Sequence, residues 1–171
     1  MFKQGDIVLY GSEGVCMIDE VMTRKFKDQL LEYFILKSVY NPSSKIFIPT
    51  QNEDLMSRMK DIMSKDEIYQ LIAHINEEEL IWIDHDNSRK EKYKEIMRNG
   101  QRNELVSLIK TLSLRNKELK LNGKKLNAMD DQFFRDAQKL LNGEIAYVFN
   151  IQQDEVGPFI SKQMGGDLIL S

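Results

Sequence analysis

Asp84-His85-Asp86 sets two carboxylates and an imidazole side by side, residue types that hold divalent metals or move protons. Three adjacent side chains cannot readily aim at one ion, and no second set of cysteines or histidines completes a shell. The expected role is a loop that opens a helix, with the acidic pair complementing the helix N-terminus. Cys16 is the sole cysteine, which excludes an internal disulfide and fits a reducing compartment. As a nucleophile it would need activation by His74 or His85, and nothing in the sequence supports that pairing. A small buried strand residue is expected instead. Gly11 and Gly14 precede no Gly-Lys-Ser/Thr, so they form no phosphate loop. On these residues the chain is expected to carry no catalytic constellation, cofactor or metal, and not to be an enzyme.

Phosphate contact is the chemistry that the charge pattern does suggest. Between Arg89 and Lys125, twelve Lys and Arg stand against four Glu, a net of +8. The whole chain carries -3, so the remainder carries -11. A basic middle in an acidic chain is the footprint of a phosphate-contacting surface, with solvated helix faces as the alternative. Lys90, Lys94 and Arg98 recur every four residues and so form one stripe of a helix. Trp82, the single tryptophan, precedes that stripe. Two readings stand: it stacks on or wedges between bases, or it anchors the helices together with Leu80, Ile81 and Ile83.

The elements that would position these residues change character near Pro49. Before it, Ile7–Tyr10, the stretch after Gly14, Glu32–Lys37 and Lys45–Pro49 read as strands of a small β-barrel. Glycines lie at the first turn, Asp28-Gln29 fits a hairpin, and Asn41–Ser44 fits another turn. After Pro49 nearly everything reads as helix: a short one over 54–60, then one opened by the capping box Ser64-Lys65-Asp66-Glu67. Others span about 87–99 with Gly100 as C-cap, and about 102–121. Asn127 caps the last long helix, whose apolar stripe is Phe134, Ala137, Leu141, Ile145 and Val148. A short amphipathic turn lies around Val156, Phe159 and Ile160, and Gly165–Ser171 reads as a mobile tail. The expected division is a β domain over 1–52 and a helical domain over 53–171. No run approaches a membrane span and the first residues carry no signal-peptide apolar stretch, so a cytoplasmic protein is expected.

The string Phe2-Lys3-x-Gly5-Asp6-x-Val8-x-Tyr10, with Gly14-Val15, Glu32-Tyr33-Phe34-x-Leu36-Lys37 and Ile48-Pro49, resembles the CarD family of bacterial transcription regulators. Their first domain is shared with the transcription-repair coupling factor. Gly100, Leu112, Arg115, Leu126-Asn127, Ala137, Leu140-Leu141 and Glu144-Ile145-Ala146 follow in the family's order, so the resemblance covers roughly 1–150. It implies a Tudor-like or SH3-like barrel that binds the RNA polymerase β subunit. It also implies a helical domain on promoter DNA at the upstream edge of the bubble. That domain would contact double-stranded or forked DNA largely independently of sequence, through phosphates and an inserted tryptophan. By position, Arg24 is implied in the polymerase contact, with Thr23 and Lys25 on the same strand edge and Phe47 nearby. The implied DNA set is Trp82, Arg89, Lys90, Lys94, Arg98, Lys124 and Lys125.

Two departures from the family pattern stand out. Aligned on Gly100, Asp86 occupies the place of the family's tryptophan, and Trp82 falls four residues earlier. Either the basic helix starts a turn earlier and Trp82 is the wedge, or the chain has none. Before Ile48-Pro49, where some relatives carry a basic residue, this chain has Phe47. The leading expectation is a monomeric regulator that tethers weak DNA binding to polymerase. The alternative is a protein-binding adaptor that never touches DNA.

Overall fold

A computed structural model describes residues 1–165, in two units divided after Ile62. Most of the expected mobile tail lies outside the described residues. The first unit holds strands β1 (Ile7–Tyr10), β2 (Gly14–Phe26), β3 (Gln29–Ser38) and β4 (Lys45–Pro49), helix α1 (Glu53–Ser57) and strand β5 (Met59–Asp61). All pairings are antiparallel, in the order β4-β3-β2-β1-β5. The fold class is α+β as expected, but the sheet is not closed into a barrel. The boundary falls after Ile62 rather than after residue 52, because β5 returns to pair Met59 with Tyr10 and Asp61 with Val8. A three-residue strand has too few residues to show a period, so the helix expected over 54–60 absorbed it.

Side-chain alternation places Val8, Tyr10, Cys16, Ile18, Phe34, Leu36, Ile48 and Met59 in one core. Gly11 and Gly14 take φ of 44° and 77° around a short 3-10 turn, the conformation that a Cβ would resist. The hairpin loop is Lys27-Asp28, closed by Phe26 opposite Gln29, one residue earlier than expected. Lys27 is the residue with positive φ there, a role the sequence did not advertise. Between Ile18 and Glu20 the register shifts, so Asp19 bulges out and ion-pairs with Lys37 at 2.8 Å.

The second unit contains α2 (Lys65–Ala73), α3 (Asp86–Asn99), α4 (Arg102–Leu121), α5 (Ala128–Phe149) and α6 (Val156–Met164). The Ser64–Glu67 capping box is reciprocal, Asn127 accepts from the Asp130 amide, and Gly100 ends α3 in the left-handed region. The core is built from Ile96, Leu105, Leu108, Ile109, Leu112, Ala137, Leu141 and Ile145. Buried Glu144 on α5 accepts from Arg102 at 2.6 Å and from the Met63 amide at 2.9 Å. That carboxylate fastens the start of the unit to α4 and α5. Among the described residues no helix is long and apolar enough to cross a membrane.

Burial pushes the Cys16 thiol up to about 12, with Glu13 adding to the shift. The folded state therefore favours the protonated thiol. Its stability contribution is intact below the unfolded pKa near 9 and falls as pH rises toward 12. At pH 8, Ellman's reagent is expected to react with the native protein on the order of 1000-fold more slowly than with the denatured chain. Comparable rates in the two states would show the core of this unit to be open.

Candidate functional site

In the sheet unit, Thr23, Arg24 and Lys25 are all exposed on the outer half of β2. Neighbours on a strand point to opposite sides of the pleat, so Arg24 shares a face with Met22 and Phe26 while Thr23 and Lys25 take the other. Arg24 stacks over Phe47 with its guanidinium carbon 5.6 Å from the ring centroid. Arg24 and Phe47 thus meet across β3, while Thr23 and Lys25 share with Arg24 only the outer half of β2, along its free edge. That edge is open. β1 pairs with β2 only from Gly14 to Met17, and β3 takes the other side, so among the described residues Glu20–Phe26 has no outer backbone partner. Phe26 and Leu30 at the hairpin end are 60% and 70% exposed, the apolar surface that accompanies a protein-binding edge.

In the helical unit the residues expected to meet DNA separate into two groups. Arg89 is 1% exposed and faces inward. Its Nε and Nη2 donate to the two Asp130 oxygens at 2.9 Å each. Nη2 also donates to Asp86 at 2.8 Å, and Nη1 to the carbonyls of Ile83 and Asp84 at 2.8 and 3.4 Å. All five donors are engaged, which leaves none for a phosphate. The hydrogen bonds that Arg89 donates to Asp130, then the one to Asp86, hold the guanidinium pKa above its ordinary value against the cost of burial. The stripe pattern missed this because Arg89 lies on the inner face, with Tyr93 and Ile96. Tyr93 packs edge-on against Phe133, and burial raises its hydroxyl pKa.

Lys90, Lys94 and Arg98 are exposed on α3, and Lys124 and Lys125 at the α4–α5 turn. Lys94 pairs with Glu91 at 3.3 Å. Among the described residues Lys90, Arg98, Lys124 and Lys125 have no ion-pair partner.

Trp82 lies on neither the helix nor the core. α3 begins at Asp86 with His85 as its cap, so no earlier turn carries Trp82. Its indole N–H donates to Asp84 at 2.8 Å, and its ring lies 4.4 Å from the Arg89 and 4.9 Å from the Arg115 guanidinium carbon. The loop before it hangs on α4: Thr111 accepts from the Ile81 amide, and buried Lys110 donates to the Asn76 and Glu78 carbonyls. The three residues of Asp84-His85-Asp86 act separately, since Asp84 holds the indole, His85 caps α3, and Asp86 pairs with Arg89. Asp130, Arg115 and Lys110 were not singled out as site residues. Asp130 lies 41 positions from Arg89, beyond any periodic signal. An open cleft of about 350 Å³ is lined by Trp82, by the cations Arg89, Arg115 and Lys125 and the carboxylates of Asp84, Asp86 and Asp130, together with Leu119, Leu126 and Asn127.

The geometry is that of an α+β protein with one open-edged antiparallel unit and one helical unit whose cleft is lined by both cations and carboxylates. Family models match both: the CarD-like/TRCF RID domain over residues 2–60 and the CarD C-terminal domain over residues 69–161. The chain belongs to the CarD family, which points to an RNA polymerase-interacting transcription regulator whose first domain is Tudor-like.

Removing Asp130 strands a buried guanidinium. Asp130→Ala is expected to destabilise the helical unit by about 3–5 kcal/mol and to redshift Trp82 emission. Chemical denaturation followed by tryptophan fluorescence measures both, and a change below about 1 kcal/mol would show that Asp86 and the carbonyls suffice.

Proposed function

We propose that this chain is a non-catalytic bacterial transcription regulator that docks on the RNA polymerase β subunit through its sheet unit. Its helical unit then contacts promoter DNA and modulates open-complex stability. The observation that carries the reading is the unpaired Glu20–Phe26 edge of β2, with Arg24 stacked on Phe47 beside it, in the unit matched by the RID model. Open backbone donors and acceptors can accept an added strand, while Arg24 and Phe47 supply the side-chain recognition. Exposed Lys90, Arg98, Lys124 and Lys125 support contact with phosphates. The tether makes weak, sequence-independent DNA affinity useful by raising the local concentration at the promoter. A monomer in the bacterial cytoplasm fits this arrangement.

A protein-binding adaptor without DNA contact is the second reading. The pairing of Lys92 and Lys94 with Glu95 and Glu91 on their own helix, which lowers the net charge of that face, favours it.

Arg24→Glu is expected to abolish co-elution with polymerase while duplex DNA binding persists, and retained co-elution would remove the sheet edge as the docking surface. Lys90→Glu with Lys94→Glu is expected to weaken DNA binding and flatten its log–log salt slope by about two. An unchanged slope in fluorescence anisotropy titrations would assign α3 to solvent.

A further inference from the structure

The indole of a wedge must leave its own protein to enter a base step. Trp82, 37% exposed, is instead engaged within its own unit: its N–H by Asp84, and its ring by Arg89 and Arg115. Insertion would forfeit these contacts and uncover the Arg89–Asp130 pair. The two arginines differ in what remains available. Arg89 has spent every donor, whereas the Arg115 side chain is 39% exposed and makes one long contact, 3.3 Å, to exposed Glu118. Lys125 lines the same cleft and has no ion-pair partner among the described residues. Residues 115–125 also carry a higher net positive charge than α3. They hold Arg115, Lys117, Lys120, Lys124 and Lys125 against Glu118 alone.

Resting on the DNA-contact reading above, we propose that Arg115 and Lys125 form a seat for a backbone phosphate at the rim of this cleft, and that Trp82 is its positioning residue rather than a wedge. The ring supports one face of the Arg115 guanidinium by a cation–π contact and leaves its N–H fork directed to an anion, for which planar bidentate geometry suits phosphate. The protein would then grip duplex DNA without unstacking it.

The test uses the full chain with a short duplex carrying 2-aminopurine and with its forked form. Wild type is expected to bind both with no rise in 2-aminopurine emission. Arg115→Gln and Lys125→Gln are each expected to reduce the log–log salt slope by about one. Trp82→Phe, which keeps a ring, is expected to stay within about threefold of wild type. Trp82→Leu is expected to match Arg115→Gln, and the double variant to be no worse than either alone, as a shared interaction requires. A 2-aminopurine rise with wild type that Trp82→Phe abolishes would overturn the proposal in favour of a wedge. Unchanged slopes for both Gln variants, with binding retained, would overturn the seat and leave the DNA reading standing. Absence of duplex binding by wild type at low salt would overturn the DNA reading and the seat with it. Arg115→Gln leaves the buried Arg89–Asp130 pair untouched, so the test holds even where Trp82→Leu fails to fold.

Discussion

A guanidinium taken out of water must find acceptors for five N–H donors, and Arg89 finds them on three segments of the helical unit. Asp130 comes from the first turn of α5, Asp86 from the first turn of α3, and two carbonyls from the loop between Trp82 and α3. Removing water from such a pair is costly, and only nearly complete hydrogen bonding offsets it. The arrangement is therefore demanding: each segment must sit where its acceptor meets the fork. The same cation provides a surface for the indole of Trp82. The floor of the cleft is thus a consequence of one buried ion pair.

In the sheet unit the corresponding constraint is the length mismatch between β1 and β2. β2 has 13 residues and β1 has 4, so most of β2 must project beyond its neighbour. The bulge at Asp19 falls where the pairing with β1 ends and bends the strand at that point. The inner half of β2 builds the core with Cys16 and Ile18, while the outer half keeps an open edge. An open edge is an aggregation hazard in an isolated domain. Arg24, Lys25 and Lys27 temper that hazard with charge while leaving the backbone accessible.

Charge in the helical unit is divided between two uses. Of the twelve cations from Arg89 to Lys125, Arg89, Arg102 and Lys110 are committed to buried or half-buried acceptors and hold the fold. Those on the outer face of α3 and around the α4–α5 turn remain for the surface. A net charge counted along the chain therefore overstates the field that a phosphate would meet.

Much of this architecture was legible in the residues. The Ser64–Glu67 box, Gly100 and Asn127 are local signals, and each marks a helix end because caps and left-handed turns depend on nearest neighbours. The switch from strand to helix near Pro49 was legible for the same reason, as was the burial of Cys16. Local chemistry did not reveal β5, whose three residues become a strand only because β1 offers an edge. The open sheet was hidden too, since closure depends on which distant edges meet. The inward turn of Arg89 and the cation–π contacts of Trp82 belong to the same class. Each depends on Asp130 or Arg115, dozens of positions away, and only the packing of α3, α4 and α5 brings those groups within hydrogen-bond or cation–π distance.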